Sequence, residues 1–164
     1  MSEQTPLPRR KSPRLQGYDY SQPGLYFVTL CSYKKRKLFG NVAEDSIAAR
    51  LLWEAWGETM GQYPGVSSDH FVVMPNHVHG IVQIQRADTG SAPTLPDVMQ
   101  AFKRLSTLRY IEQVRKGKLQ PFERHIWQRS FHDHVIRSEK DYQKIWEYID
   151  NNPLKWELDC FYVP

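Results

Sequence analysis

The chain has 164 residues, 40% of them hydrophobic, and a net charge of +4. This length supports one well-buried core and is too short for two ordinary domains. No apolar run reaches the roughly 20 residues of a membrane span, and the first residues lack the apolar stretch of a signal peptide, so we expect a cytoplasmic protein with no membrane partner. The two distant cysteines, Cys31 and Cys160, argue against a disulfide framework and against a multi-cysteine zinc site.

Positive charge is concentrated in two separate stretches of the chain. Residues 1–40 hold eight Lys or Arg against two acidic residues, and residues 97–118 hold six against two. Such stretches are typical of proteins that bind a polyanion, and nucleic acid is the commonest polyanion partner. From charge alone, a solvated surface without a partner is equally compatible with this pattern.

The first half of the chain predicts an arm, a strand and a helix. Residues 1–23 are rich in Pro, Arg, Ser and Gln without apolar periodicity, which predicts an extended basic arm before a single domain over residues 24–164. A β-branched and aromatic run predicts a strand at 25–33. Apolar residues at i, i+4 spacing predict an amphipathic helix over about 43–60, ended by the Pro-Gly pair at 64–65.

Two strands, a helix, a fourth strand and a last helix follow. The strands are predicted at 68–74 and 77–85 with a tight Met-Pro-Asn connection, the helix runs to about residue 115, and the fourth strand covers 130–137. Ser138 is predicted to cap the last helix, and Pro153 to end it. This order predicts an α+β fold, a ferredoxin-like split β-α-β antiparallel sheet with two helices on one face and an additional C-terminal helix. We expect the other face to be open and to hold the functional site.

A pair of histidines begins the third predicted strand. Residues two apart on a strand share a face, so His77 and His79 project together. Two neutral imidazoles make half of a metal site. A His-x-His pair taken alone is more often a core or surface feature, but its position directly after a hairpin turn favours metal ligands.

The last predicted helix offers partners for this pair. Tyr148 and Asn152 stand one turn apart on it. The amide oxygen of Asn152 could complete a His-His-amide site suited to Mg²⁺ or Mn²⁺, with water and a phosphate oxygen in the remaining positions. Tyr142 is six residues before Tyr148, about 240° around the helix axis, and we expect it to be buried instead.

Five segments together carry a resemblance to a known family. They are MPNHVHGIV at 74–82, Phe102-Lys103, Trp127-Gln128-Arg129, HVIR at 134–137 and YIDNNP at 148–153. In order and spacing they resemble the single-tyrosine HUH transposases, in particular the branch of REP-associated tyrosine transposases. The likeness covers about residues 16–156. Asn152 favours that branch, because the insertion-sequence branch more often has glutamine there.

The resemblance implies a chemistry for each site residue. His77 and His79 would bind a divalent metal, Mg²⁺ or Mn²⁺, with Asn152 as the third protein ligand, and Tyr148 would be the nucleophile. The implied protein is a DNA transposase, a metal-assisted endonuclease and strand transferase that acts on single-stranded or hairpin DNA through a 5′-phosphotyrosine intermediate. A homodimer that exchanges this helix would let Tyr148 act on its partner's metal, and a monomer is equally compatible.

The residues that would contact DNA lie in the two basic stretches. The candidates are Arg9, Arg10, Lys11 and Arg14 in the arm, and Lys103, Arg104 and Arg109 on the second helix. A second His-x-His pair, His132 and His134 on the fourth strand, is a weaker candidate metal site, and we favour hydrogen bonding or DNA contact for it.

Two other functions stay open at this point. One is a non-catalytic module that binds single-stranded nucleic acid, which predicts exposed aromatic side chains at the centre of the first and third strands. The other is a metal-dependent phosphodiesterase in which water is the nucleophile and Tyr148 is structural.

Overall fold

The order of elements predicted from the sequence is the order in the folded chain. The computed structural model describes residues 14–41, 45–85 and 92–164. The strands and helices are β1 (Gly24–Cys31), α1 (Ile47–Gly61), β2 (Val66–Met74), β3 (His77–Ile84), α2 (Leu95–Arg115), β4 (His132–Ile136) and α3 (Glu139–Asn151). In these parts of the chain no helix has the length and apolarity that crossing a bilayer would require.

The four strands form one antiparallel sheet in the order β2-β3-β1-β4. The two central strands are separated in sequence by α1 and β2, as a split β-α-β arrangement requires, and the predicted α+β fold is confirmed. Register places Cys31 opposite His77 and Thr29 opposite His79. The beginning of β3 therefore lies beside the end of β1.

Capping side chains fix where the helices begin. The Ser46 hydroxyl accepts a hydrogen bond from the Ala49 N–H, so α1 starts at Ile47 rather than near residue 43. Thr94 and Asp97 form a reciprocal capping box at the start of α2. Ser138 caps α3 as predicted. After Asn151 a short 3-10 helix, Pro153–Leu158, continues the chain where the sequence indicated only an end.

One face of the sheet holds the main core under α1 and α2. Alternate residues of the central strands point to it, among them Val28, Leu30, Val78 and Val82, which are fully buried. The helices contribute aromatic and aliphatic side chains such as Phe102. This packing arises because every second residue of a strand and every third or fourth residue of an amphipathic helix point to the same side. The apolar face of the sheet and the apolar faces of the two helices are therefore buried against each other.

The other face of the sheet is not open, which corrects the sequence-based expectation. Helix α3 lies across it, and Ile145 and Ile149 pack with Ile81 of β3 and Ile136 of β4. Two histidine–carboxylate contacts also join α3 to the strands at either edge of the sheet, His70 with Asp150 and His134 with Asp141. The helix that carries Tyr148 is therefore held on the face to which the odd-numbered residues of β3 point.

Residues 14–23 are folded against the domain rather than extended away from it. Tyr20 is buried in the main core, and its hydroxyl donates to the Asp133 carboxylate at 2.8 Å. Arg14 donates to the Phe131 carbonyl and to Asp133, and its guanidinium lies 3.3 Å from the centre of the Phe131 ring. The part of the predicted arm that is described therefore closes one edge of the domain, and residues 1–13 lie outside the described residues.

Gly80 should be essential for the packing of β3. A Cβ atom at this position would lie 2.6 Å from the ring of Trp56, which is buried and stacked on Phe71. We expect Gly80→Ala to lower the free energy of unfolding by about 1–3 kcal/mol, because two buried rings would have to move. Urea denaturation measures this change.

Gly57 provides the matched control for that substitution. It lies within α1, and a Cβ atom there would meet nothing within 4 Å. Gly57→Ala should therefore stabilise the chain by up to about 1 kcal/mol through helix propensity. Equal effects of the two substitutions would contradict the role given to Gly80.

Candidate active site

The two predicted ligand histidines are buried side by side at the beginning of β3. His77 is 0% exposed and His79 is 1% exposed, and both side chains point to the α3 face. Their Nε2 atoms are 3.1 Å apart. Two ring nitrogens at this distance face one common point, so only a proton or a cation between them avoids the repulsion of two lone pairs.

A hydrogen bond from His77 to Asn76 fixes the tautomer of this histidine. The Asn76 amide nitrogen donates to the carbonyls of Lys35 and Phe161, which turns its Oδ1 towards His77 Nδ1 at 2.8 Å. The His77 Nδ1–H must donate to this oxygen. The lone pair of Nε2 is then left free for a metal, and a neighbour that orients a ligand in this way is typical of metal sites.

The second histidine is oriented by a hydroxyl that can either donate or accept. His79 Nδ1 lies 2.8 Å from the Thr29 Oγ1 of the neighbouring strand. If Thr29 donates, His79 Nε2 carries the proton and donates it to His77. If Thr29 accepts, both Nε2 atoms can bind an ion. Burial, together with the repulsion that two charged rings this close would have, lowers the pKa of His79 well below its ordinary value, so this ring is neutral.

An aspartate from the C-terminal segment completes a cluster that sequence reasoning missed. Asp159 Oδ2 lies 3.5 Å from His77 Nε2, and the ligand atoms of His77, His79 and Asp159 all lie within 4.8 Å of one another. Burial alone would raise the pKa of Asp159, but the contact with His77 and the hydrogen bonds from the Phe161 N–H and Asn152 outweigh it and hold the pKa well below its ordinary range. The carboxylate is therefore charged and oriented. A lone aspartate beyond the last predicted helix carries no motif that could have indicated this.

Asn152, the third ligand implied by the resemblance, lies beside this cluster. It follows α3 directly, is 3% exposed, and its Nδ2 donates to Asp159 Oδ2 at 2.6 Å. Its Oδ1 is buried without a hydrogen-bond partner. A buried acceptor without a donor is costly, and a cation at this point would satisfy it.

The residues present fit a divalent ion. The possible metal ligands are two imidazole nitrogens, the charged carboxylate of Asp159 and the unpaired amide oxygen of Asn152. Nitrogen and oxygen ligands of this kind suit a divalent transition metal. Nitrogen ligands lie about 2.0–2.1 Å from an ion such as zinc, so a 3.1 Å separation of two ligand nitrogens is compatible with a shared ion.

Tyr148 lies on α3 directly above the second histidine. The centre of its ring is 5.4 Å from that of His79 and 6.0 Å from that of Phe27, and the side chain is 42% exposed. Burial of the hydroxyl, followed by the charge of Asp159, raises the pKa of Tyr148 to about 12, while a hydrogen bond with Asn152 acts in the opposite direction. A cavity of about 300 Å³ opens beside it and is also lined by Asn152 and Asp159.

The competing tyrosine is elsewhere on the helix. Tyr142 is half-buried rather than fully buried, and its hydroxyl donates to Asp69 at 3.3 Å at the edge of the sheet. Its ring packs against Trp146, 5.7 Å between ring centres. In the described residues the histidine–aspartate cluster has Tyr148 and not Tyr142 as its neighbour.

The segment after α3 covers the two histidines. The ring centres of Trp156 and Phe161 are 5.8 Å and 4.8 Å from that of His77. The Phe161 carbonyl is held by Asn76. These aromatic contacts explain why the rings of His77 and His79 are shielded from water although they lie at the beginning of a strand.

The second histidine pair is divided between two roles. His134 Nε2 lies 2.8 Å from an Asp141 carboxylate oxygen, and His132 is exposed with its ring 6.1 Å from Phe161. Across the described ranges, the metal-binding cluster that has three or more His, Cys, Asp or Glu ligands includes neither of them. Hydrogen bonding, one of the two roles favoured for this pair from the sequence, is the role that His134 has in the structure.

The predicted DNA-contacting residues do not share one environment. Arg9, Arg10 and Lys11 lie outside the described residues. Arg14 and Lys103 are directed to backbone carbonyls, and Arg109 is paired with Glu58. Arg104 is exposed on α2. In the described residues only Arg104, of these candidates, presents its charge to solvent without a hydrogen bond or ion pair.

A strand with paired histidines that faces a tyrosine-bearing helix, on a split β-α-β sheet, defines the single-tyrosine HUH class of proteins. The family profile described as "Transposase IS200 like" matches residues 24–152. The chain therefore belongs to the IS200-like transposase family.

Similar proteins and a solved structure agree with this assignment. A Haemophilus influenzae protein of uncharacterised function is 34% identical over 94% of this chain and 93% of its own length. A second protein of that organism, classed among the REP-associated tyrosine transposases, is 28% identical over 84% of this chain and 74% of its own. The structure of a REP-associated tyrosine transposase bound to a REP hairpin has the same fold, with a TM-score of 0.62 over 87% of this chain and 74% of that chain at 22% identity.

The place of Asp159 in the cluster can be tested by metal binding alone. Asp159→Asn keeps the shape of the side chain but removes the negative charge beside two imidazoles. We expect it to weaken Mn²⁺ binding by roughly 10- to 100-fold. Titration of the free chain with Mn²⁺, followed by electron paramagnetic resonance of the unbound ion, measures this without DNA.

Glu157→Gln is the matched control, because it removes one negative charge from an exposed position in the same segment. Its Mn²⁺ affinity should equal that of the unchanged chain. If the two variants bind Mn²⁺ alike, Asp159 is not a ligand.

Proposed function

We propose that this protein cleaves and rejoins DNA strands through a transient covalent bond between Tyr148 and a 5′-phosphate. The observation that carries the proposal is the position of Tyr148, whose ring centre is 5.4 Å from that of His79. His79 belongs to the histidine–aspartate cluster, in which the ligand atoms lie within 4.8 Å of one another. A nucleophile next to a site able to hold a cation is the arrangement that phosphoryl transfer needs.

The metal would be held by His77, His79 and Asp159, with the free Oδ1 of Asn152 as a further donor. When bound, a divalent ion would polarise the scissile phosphate and stabilise the negative charge that gathers on its oxygens. A set with two nitrogen donors favours Mn²⁺ over Mg²⁺, which prefers oxygen ligands.

Tyr148 would act as the nucleophile. With a pKa of about 12 its phenol is neutral near pH 7, so it loses its proton only as it attacks. The phenol oxygen forms a bond to phosphorus, the bond from phosphorus to the 3′-oxygen breaks, and the proton lost by the phenol is matched by the one gained by that 3′-oxygen. Asn152 lines the same cavity as Tyr148 and lowers the pKa of its phenol, so it would help this step.

The same residues would catalyse rejoining. In the phosphotyrosine, the ester bond between phosphorus and Tyr148 replaces the broken ester bond between phosphorus and the 3′-oxygen. A second 3′-hydroxyl can therefore attack the phosphorus and release Tyr148 without ATP. Strand transfer follows if that hydroxyl belongs to another DNA end. The phosphate would approach through the cavity beside Tyr148, which reaches both Asn152 and Asp159.

Single-stranded or hairpin DNA is the proposed substrate. Residues 24–164 would form the catalytic domain of the protein. A solved relative of the same fold is bound to a REP hairpin, which supports this choice. Because Tyr148 and His79 of one chain are neighbours, we propose that one chain acts in cis, without helix exchange in a homodimer.

The two other functions have less support. The non-catalytic module would need exposed aromatic rings at the centre of the sheet. Phe27 of β1 instead lies under Tyr148 and packs against the apolar residues that join α3 to the sheet. A phosphodiesterase with a water nucleophile would leave Tyr148 without a role beside the cluster.

Tyr148→Phe should abolish formation of a covalent adduct while preserving DNA binding, because only the phenolic oxygen is lost. The assay incubates the chain with Mn²⁺ and a labelled hairpin that has a single-stranded flank, and then separates denatured protein from DNA. The unchanged chain should retain label after denaturation.

Tyr142→Phe is the matched control and should form the adduct as the unchanged chain does, since its hydroxyl contacts Asp69 at the edge of the sheet. Label retained by Tyr148→Phe would contradict the assignment of the nucleophile. Cleavage by the unchanged chain without any adduct would instead favour the phosphodiesterase.

A further inference from the structure

We propose that a basic groove between α2 and residues 124–131 binds the sugar-phosphate backbone of duplex DNA, as the docking site for the stem of the hairpin substrate. This proposal rests on the proposed function only in taking DNA as the substrate. The groove has a volume of about 650 Å³ and does not include Tyr148 or the histidine–aspartate cluster.

The lining of the groove contains basic residues and no acidic ones. Its lining contains Arg14, Lys103, Arg104, Arg124 and Arg129, and neither Asp nor Glu. A wall with only one sign of charge raises the local concentration of an oppositely charged ligand. DNA phosphates are such a ligand, and each one neutralised releases a bound counterion.

Three of these arginines are available to a ligand. Arg104, Arg124 and Arg129 are exposed, and within residues 14–41, 45–85 and 92–164 none of their side chains forms an ion pair or a hydrogen bond. Basic residues elsewhere on the described surface are often neutralised, for example Arg36 by Glu123, Arg50 by Asp45 and Lys116 by Glu112. The groove is thus a place where uncompensated charge accumulates.

Hydrogen bonds between α2 and residues 127–130 hold the outer wall of the groove in place. The Lys103 ammonium donates to the carbonyls of Gln128, Arg129 and Ser130, at 2.8, 3.2 and 3.4 Å. The indole N–H of Trp127 donates to the buried Ser106 hydroxyl of α2 at 2.9 Å. Lys103, predicted from the sequence to contact DNA, instead positions the segment that carries Arg129. A rigid wall lowers the ordering cost of binding.

The backbone at Arg124 is in a conformation that arginine rarely adopts. Its φ is +59°, in the left-handed region that favours glycine. Such a conformation costs of order 1–3 kcal/mol and persists where the surroundings impose it, most often at functional positions. It places an unpaired arginine in the lining of the groove at the point where the wall begins.

The chemistry of the lining favours a duplex over a single strand. Binding of single strands relies on exposed aromatic rings on which bases stack. Of the aromatic rings in the groove, Trp127 and Phe131 are buried, Arg14 covers the Phe131 ring, and the exposed His125 packs edge-on against Tyr33. The groove therefore offers at most one ring to a stacking base. Several arginines beside a single such ring favour recognition of phosphates, whose spacing is regular in a duplex.

The groove wall is joined to the strand that borders the histidines. The Gln128 N–H donates to the Cys31 carbonyl at 2.9 Å, and Cys31 is the register partner of His77. A stem docked in the groove would therefore lie next to the last residues of β1, which are paired with the first residues of β3, where His77 and His79 are found. The single-stranded flank is then free to extend to Tyr148.

The test compares two triple variants of equal charge in the Tyr148→Phe chain, which cannot cut its ligand. The groove variant is Arg104→Ala, Arg124→Ala and Arg129→Ala. The control removes three exposed positive charges outside the groove, with Arg115→Ala, Lys118→Ala and Lys140→Ala. Fluorescence anisotropy measures the affinity for a labelled hairpin, and for a single strand of equal length, over a range of salt concentrations.

We expect the groove variant to bind the hairpin at least tenfold more weakly. The slope of log K against log salt should fall by about 2 to 3, about one for each phosphate that the variant no longer neutralises. The control should change much less, and replacing the same three arginines by lysine should retain most of the slope. Thermal unfolding of each variant verifies that the domain is intact.

Three outcomes would overturn the proposal. An unchanged slope in the groove variant removes the groove as a DNA site, and equal losses of affinity in the control reduce it to an effect of net charge. An equal loss for the single strand would replace the duplex stem by a single strand as the ligand. If the chain that retains Tyr148 forms no adduct but the slopes are as expected, the proposed catalysis is refuted and the groove remains a DNA site.

Discussion

Two imidazole nitrogens held 3.1 Å apart in the protein interior are the constraint on which the rest of this structure depends. Neutral rings cannot stay at that distance with both lone pairs facing, so the site needs a proton or a cation between them. Asn76, Thr29 and the C-terminal segment all serve this requirement, since they orient the rings, supply the carboxylate of Asp159 and exclude water. The aromatic cover and the tyrosine helix are placed around the same point.

The alternation of β3 links that site to the stability of the fold. Its odd-numbered residues face α3 and its even-numbered residues face the main core, so a shift of one residue would exchange the two sets. Gly80 resists such a shift, because its missing Cβ makes room for the Trp56 ring. The strand that carries His77 and His79 is thereby fixed by packing on the opposite face of the sheet.

Much of the fold could be predicted from the sequence because the signals were local. Periodicity distinguished the strands from the helices, and Ser138 capped α3 as predicted. His77, His79, Tyr148 and Asn152 could also be selected by spacing and resemblance, and they lie together. The long-range features could not be predicted: the cover of α3 over the second face, the docking of residues 14–23, and the approach of Asp159, which no motif accompanies.

The amino-acid sequence by itself determined the order of elements, the family and the shared face of the two histidines, because each is encoded in short segments whose geometry follows from backbone periodicity. Only the tertiary structure decided which charges are available. Lys103, Arg104 and Arg109 lie within seven residues of one another on α2, yet the first binds carbonyls, the third binds Glu58, and only the second is unpaired among the described residues. A charge is neutralised by whichever groups folding brings near it, and those groups come from distant parts of the chain.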